Sequence, residues 1–186
     1  MVRRPRKALF GRRPAPPPPV GLAIAAPVGH DTSRSERYLV LRRPMDAPVP
    51  ASPLPEGSMF APITADDATA VHALLKAAYD DRFGSVPESA LTWWKDLMLD
   101  SEYDSNLAVT AKFEGEIVGF CLCWTSSFVK DIAVDARFRG HGLASALLAQ
   151  AIEKLRKRGA DEIVLKVHVH NAIAQRLYRK FGFAQE

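Results

Sequence analysis

From residue 58 onward the chain switches repeatedly between two hydrophobic periods. Val71, Leu74, Leu75 and Ala78 recur at the three-and-four spacing of a single helix face. Thr64, followed three residues later by Asp67, has the form of a capping box at the start of that helix. A second helical stretch, Ala90 to Leu99, carries Trp93 and Trp94. Leu107 to Phe113 and Ile117 to Thr125 read as two strands of a hairpin around Glu114-Gly115-Glu116. Ser58 to Ile63 and Phe128 to Val134 read as further strands. Leu143, Leu147, Ala151 and Leu155 then fall on one side of a helix, with Leu148 and Ile152 beside them. Arg156, Lys157 and Arg158 suit the negative end of its dipole, and Gly159 suits the turn after it. Ile163 to Val169 is a strand, and Asn171 opens a last helix that Gly182 ends. This order predicts an α/β fold, a mixed central sheet flanked by helices, over residues 58–186.

The first 57 residues have a different character. They hold ten of the 25 Lys and Arg, four of the 21 Asp and Glu, and twelve of the 14 prolines. The formal net charge of +4 therefore comes from this leader, while the predicted domain is slightly acidic. Such composition buries too little apolar surface to offset chain entropy, which predicts disorder or polyproline II geometry. The lack of acidic residues before Asp31 also fits a transit peptide, but the prolines oppose the amphipathic helix such peptides form. Tyr38 to Arg42 alternates like one short strand that could lie against the domain edge. A nucleic-acid-binding reading rests on the leader alone, so no nucleic-acid partner is expected. No apolar run approaches membrane-spanning length, so no membrane partner is expected. Cys121 and Cys123 stand two apart in a strand and read as small buried hydrophobes of a reducing cytoplasm. No Cys/His cluster has metal-ligand spacing, so no metal is expected.

The candidate chemistry starts at Arg137-Phe138-Arg139-Gly140-His141-Gly142-Leu143-Ala144, between an apolar strand and a helix. Glycines in such a turn let backbone approach a ligand, and the first N–H groups of the helix have no intrahelical partner. The helix dipole and the two arginines add positive character, so the turn reads as a pyrophosphate cradle. A dinucleotide fingerprint would want an acidic residue ending the next strand, where His168, Val169 and His170 stand instead. A P-loop would want Gly-Lys-Ser/Thr, which is absent.

Arg137-x-x-Gly140-x-Gly142 after Asp131-Ile132-Ala133-Val134 resembles the acetyl-CoA motif of the GNAT superfamily of N-acetyltransferases. The stretch Asn171 to Phe183 is similar to that family's Asn-x-x-Ala-x-x-Leu-Tyr-x-x-x-Gly-Phe element. Within the family, Leu41-Arg42-Arg43-Pro44, Pro53-Leu54-Pro55-Glu56-Gly57 and the paired tryptophans resemble mycothiol synthase-like members.

The resemblance implies acetyl-CoA as cosubstrate and a primary amine, on a small molecule or a protein, as acceptor. It implies that Ile132, Ala133 and Val134 pair with the pantetheine and acetyl groups through main chain. Arg137, Arg139, Gly140, His141, Gly142, Leu143, Ala144 and Asn171 would bind the remainder of the cofactor. Val134 N–H would polarise the thioester carbonyl. Tyr178 takes the place of the family's acid, its other reading being a core aromatic. The base stays open. Where some members carry a glutamate, five residues before the motif asparagine, this chain has Lys166. His168 and Asp131 are the candidates, with Glu116 and a water chain as rivals. Tyr79, Phe83, Trp93 and Trp94 fall where the family builds its acceptor wall. A competing reading is a non-catalytic acyl-CoA-binding module with a Pro-rich docking tail. The family usually continues beyond Gly-Phe into a final strand, so the expectation for a sequence that stops at Glu186 is a sheet without it. The sheet edge so exposed could be closed by another chain, as in a homodimer, or by the leader.

Overall fold

A computed structural model describes residues 38–79 and 86–185. The expected disorder of the leader up to residue 37, and the acceptor-wall candidate Phe83, lie outside the described residues. The elements run β1 (Tyr38–Pro44), β2 (Ser58–Ala61), α1 (Ala68–Tyr79), α2 (Ala90–Leu99), β3 (Ala108–Phe113), β4 (Glu116–Cys123), β5 (Phe128–Val134), α3 (Leu143–Lys157), β6 (Glu162–His168), α4 (Ala172–Lys180) and β7 (Ala184–Gln185). They build a seven-stranded sheet in the order β2-β3-β4-β5-β6-β1-β7. Only β5 and β6 pair in parallel, since a helical crossover joins them.

Local signals explain most boundaries. Asp67 accepts from Thr64 N–H at 3.0 Å and from the Thr64 hydroxyl at 2.9 Å, fixing the turn that leads into α1. Glu114 and Gly115 both take positive φ, 50° and 85°, which is the backbone of a two-residue hairpin turn joining β3 to β4. Asn171 Oδ1 accepts from Ala174 N–H at 3.1 Å and caps α4.

Two apolar layers cover the sheet. One gathers Leu143, Leu147, Leu148, Ile152 and Leu155 of α3 with Tyr178 of α4, Cys121 and Cys123. The other gathers Val71, Leu74 and Leu75 of α1 with Trp93 and Leu97 of α2, Phe120 and Leu122. Gly119 of β4 sets how closely α3 can approach. A Cβ built there would stand 2.8 Å from Leu147 Cδ1 and 3.2 Å from Leu143 Cδ2. The missing side chain thus lets the start of α3 rest on β4, directly after the glycine turn.

The sheet extends beyond the boundary expected at residue 58. Strand β1 pairs antiparallel with all of β6, from Tyr38 opposite His168 to Pro44 opposite Glu162. It stands where the exposed sheet edge was expected. The two-residue β7 beyond Phe183 pairs with β1, Arg42 opposite Ala184 and Leu41 opposite Gln185. Arg43 fixes this segment from inside. Its side chain is fully buried, with Nε donating to the Phe181 carbonyl at 2.7 Å and Nη1 to the Pro44 carbonyl at 3.0 Å. Nη2 donates to the carbonyls of Ala47 and Pro48. The Phe181 carbonyl ends α4, so a cation there also complements the helix dipole. Burial and the neighbouring Arg156 both pull this guanidinium below its ordinary pKa.

Candidate active site

Strands β5 and β6 diverge. Their pairing is confined to Phe128 opposite Val164 and Val129 opposite Leu165. Beyond it, β6 stays paired with β1 and β5 stays paired with β4, so a gap opens between them. The register break opposite Leu122 and Cys123 leaves Lys130 as an extra residue in β5, the bulge that starts the divergence. Asp135 N–H donates to the Val118 carbonyl at 2.9 Å. Antiparallel alternation then directs the backbone groups of Ala133 and Asp131 toward β4, and those of Ile132 and Val134 into the gap. Of the three residues expected to bind through main chain, Ile132 and Val134 therefore present free edges, whereas the polar groups of Ala133 serve the sheet.

The glycine turn closes the end of the gap. Asp135 accepts from Arg137 N–H at 2.8 Å, making a single tight turn through Ala136–Phe138. Gly140 and Gly142 follow at φ of 81° and 85°, and a Cβ built on either meets no atom within 4 Å. Their conformation is one that side-chain-bearing residues avoid, and the space above them is open. Gly142 is the N-cap of α3 and offers no side-chain acceptor, so the first helical N–H groups, from Leu143 and Ala144 onward, point outward. Leu143 anchors the same turn, its side chain being buried in the core. His141 Nδ1–H donates to the Arg139 carbonyl at 2.9 Å, and the Arg139 side chain is exposed.

Arg137 stands at the start of the turn. Its guanidinium meets Asp135 at 2.9 Å and Glu116 at 3.1 Å, and both raise its pKa. It braces β4 against the turn, and its charge is balanced there. Asp135 is the residue that orders this turn, and its carboxyl is held below the usual range chiefly by Arg137.

Side chains from four elements converge beside β5. Asp131 is buried, and the Tyr79 hydroxyl at the end of α1 donates to its Oδ1 at 2.6 Å. Lys130 Nζ stands 3.5 Å from Oδ2. Tyr178 stands on α4 on the opposite face, its ring edge-on to Phe183 with centroids 5.7 Å apart. Burial first, then Cys121 and Asp131, push the Tyr178 phenol well above its ordinary pKa. Burial and Asp131 do the same to Tyr79, and Tyr178 adds to it. Cys121 is pushed up by its hydrogen bond with Cys123, by burial and by Asp131. The two phenols differ in one respect. Tyr79 gives its proton to Asp131, whereas the Tyr178 hydroxyl has no hydrogen-bond partner among the described residues.

Other candidates sit apart from this pocket. His168 lies across the gap on β6, where it packs against Tyr38 (5.3 Å) and His170 (5.4 Å), and its Nδ1 accepts from His170 N–H at 3.2 Å. Asn171 Oδ1 is occupied in capping α4. Lys166 is exposed. Trp93 is core, 6.3 Å from Phe120 and 6.2 Å from His72, and Trp94 packs half-buried beside it. Only Tyr79 of the described aromatic wall candidates touches the pocket. Its bond to Asp131 spans 52 residues, and no local pattern announces it.

The profile of the Acetyltransferase (GNAT) family matches residues 68–183. A mycothiol acetyltransferase from Salinispora arenicola is 33% identical over 90% of this chain and 57% of its own length. The chain thus spans little more than half of that relative. A [ribosomal protein bS18]-alanine N-acetyltransferase from Haemophilus ducreyi is 32% identical over 50% of this chain and 66% of its own. Among solved structures, a GCN5-related N-acetyltransferase from Sphaerobacter thermophilus superposes with a TM-score of 0.66 at 28% identity, over 80% of this chain and 48% of that one. With the divergent β5–β6 pair, the glycine turn and a profile match across most of the described residues, the chain belongs to the GNAT family of acetyltransferases.

Proposed function

We propose that the domain transfers an acetyl group from acetyl-CoA to a primary amine by direct attack on the thioester. The observation that carries this reading is the open β5 edge, ending in two glycines whose missing Cβ atoms leave clear space. Those features fit a pyrophosphate and an extended amide-bearing arm. Helix N–H groups suit the phosphates, and the Ile132 and Val134 backbone suits the arm. When bound, acetyl-CoA supplies an activated acyl carbon and a thiolate leaving group.

The chain's own groups divide the remaining work. Val134 N–H donates to the thioester oxygen as negative charge grows on it. Asp131 accepts a proton from the acceptor ammonium, so that the nitrogen lone pair forms the new C–N bond as the C–S bond breaks. Tyr178 donates to the departing sulfur. The phenol keeps its proton throughout the neutral range, so the proton is present when a thiolate forms beside it. Of the two protons the ammonium loses, one restores Tyr178 and the other leaves to solvent.

Arg137, Arg139, His141, Leu143, Ala144 and Asn171 belong to the cofactor end of this reading, Arg137 through bracing and Leu143 and Ala144 through main chain. His168 is set aside as base in favour of Asp131, which the unpartnered Tyr178 phenol senses electrostatically. The relatives named for acetylation of mycothiol and of a ribosomal protein alanine both support an amine acceptor. The test is thiol release from acetyl-CoA with a panel of primary amines: spermidine, glucosamine and an alanine-initiated peptide. Amine-dependent release, with the acetyl group recovered on nitrogen, is expected. Acetyl-CoA binding without release for every amine would instead favour the non-catalytic acyl-CoA-binding module.

A further inference from the structure

The buried pair Tyr79–Asp131 carries an inference that rests on the acetyl-transfer reading and extends it. Asp131 is almost wholly removed from water. A buried carboxylate is costly unless donors satisfy it, and without them it takes up a proton and ceases to be a base. The groups facing it are Tyr79 from α1, Lys130 from β5, Cys121 from β4 and Tyr178 from α4. Of these, Tyr79 makes the short bond, 2.6 Å to Oδ1, while Lys130 stands at 3.5 Å from Oδ2. Tyr79 thus holds one oxygen, and the Lys130 ammonium faces the other. The bond also separates the two phenols by task, since a hydroxyl already donating to a carboxylate is not available to a sulfur.

We propose that Tyr79 is a positioning residue for acetyl transfer, whose hydroxyl holds the Asp131 carboxylate in the orientation that accepts a proton from the acceptor ammonium. Tyr79 closes α1, and Asp131 lies beside the β5 bulge. The contact therefore joins the helix layer on one face of the sheet to the strand edge that borders the gap.

The experiment compares the full-length chain with Tyr79→Phe, Asp131→Asn and the double variant, using whichever amine of the panel the parent turns over fastest. Phenylalanine keeps the ring and removes only the donor. A hydrogen bond to a charged group is worth enough that kcat/KM at pH 7 should fall ~tenfold in Tyr79→Phe. The loss should fall on kcat, with KM for the amine largely kept. Stabilisation by acetyl-CoA should stay unchanged, and Tyr79→Phe should add nothing to Asp131→Asn.

A second readout needs no substrate. The infrared carboxylate stretch that disappears in Asp131→Asn should shift in Tyr79→Phe relative to the parent, because the bond from the phenol is gone. A loss carried by KM alone, no loss, or an unmoved band would overturn the proposal. If the parent releases no thiol with any amine while the band moves as expected, the acetyl-transfer reading fails. The Tyr79 contact would then be a structural bond alone, which also overturns the proposal.

Discussion

The glycine turn and the phenol–carboxylate pocket border the same gap and are built in opposite ways. The turn works through main chain. Its residues are consecutive, its conformation depends on the positive φ of Gly140 and Gly142, and its donors are the unpaired N–H groups of α3. The pocket works through side chains. Tyr79, Cys121, Asp131 and Tyr178 come from α1, β4, β5 and α4, and long-range packing brings them together. A backbone site tolerates exchange of its neighbours' side chains, provided the turn keeps its shape. A side-chain site fails with the loss of one atom. Binding and chemistry in this domain should therefore be separable by mutation.

The largest separation is expected from Tyr178→Phe. Removing a general acid costs ~10²- to 10⁴-fold in kcat, and stabilisation by acetyl-CoA should persist because the turn is untouched. Equal loss of binding and turnover would merge the two regions and break the comparison. Next comes Arg43→Ala, which leaves the Phe181, Ala47 and Pro48 carbonyls without their buried donor. It should lower unfolding stability by roughly 2–4 kcal/mol in denaturant titration, because it detaches β1 from the end of the helix that carries Tyr178.

Gly119→Ala should cost about 1–3 kcal/mol by pushing α3 away from β4, and it should weaken acetyl-CoA binding in parallel. Gly142→Ala acts on the turn alone. A side chain at φ 85° costs about 1–2 kcal/mol and occupies the open space, so affinity for acetyl-CoA should drop with kcat largely kept. The smallest effect on affinity is expected from Arg137→Ala, since that guanidinium is engaged by Asp135 and Glu116. Isothermal titration with acetyl-CoA checks the last three.

The pH dependence sharpens the same contrast. An ordinary tyrosine loses its proton near pH ~10. The Tyr178 phenol lies well above that because burial and nearby Cys121 and Asp131 disfavour the phenolate. Loss of the acid should therefore impose no fall in kcat between pH 8 and pH 10, which a stopped pH series of single turnovers would show.

What could be read in the sequence divides along the same line. Gly140, Gly142 and Asn171 sit in local patterns whose physics needs only neighbouring residues, and the helices and hairpin follow from period and turn chemistry. The alternation of Tyr38 to Arg42 indicated a strand, but its place between β6 and β7 depends on Arg43 reaching the end of α4, a contact across 138 residues. The Tyr79–Asp131 bond was hidden for the same reason. Trp93 and Trp94 illustrate the converse, because helical spacing alone does not separate a core tryptophan from a pocket wall. Arg137 shows that a charge next to a motif can be consumed by its neighbours, here Asp135 two residues back.

The most direct test of the central claim is the thermal stability of the full chain in rising acetyl-CoA, with adenosine as control. A ligand that binds only the folded state adds about 2.7 kcal/mol at a hundredfold excess over Kd. The account predicts a saturable rise with acetyl-CoA, none with adenosine, and a weaker rise in Gly142→Ala. A chain that melts cooperatively and shows no rise with acetyl-CoA would contradict it.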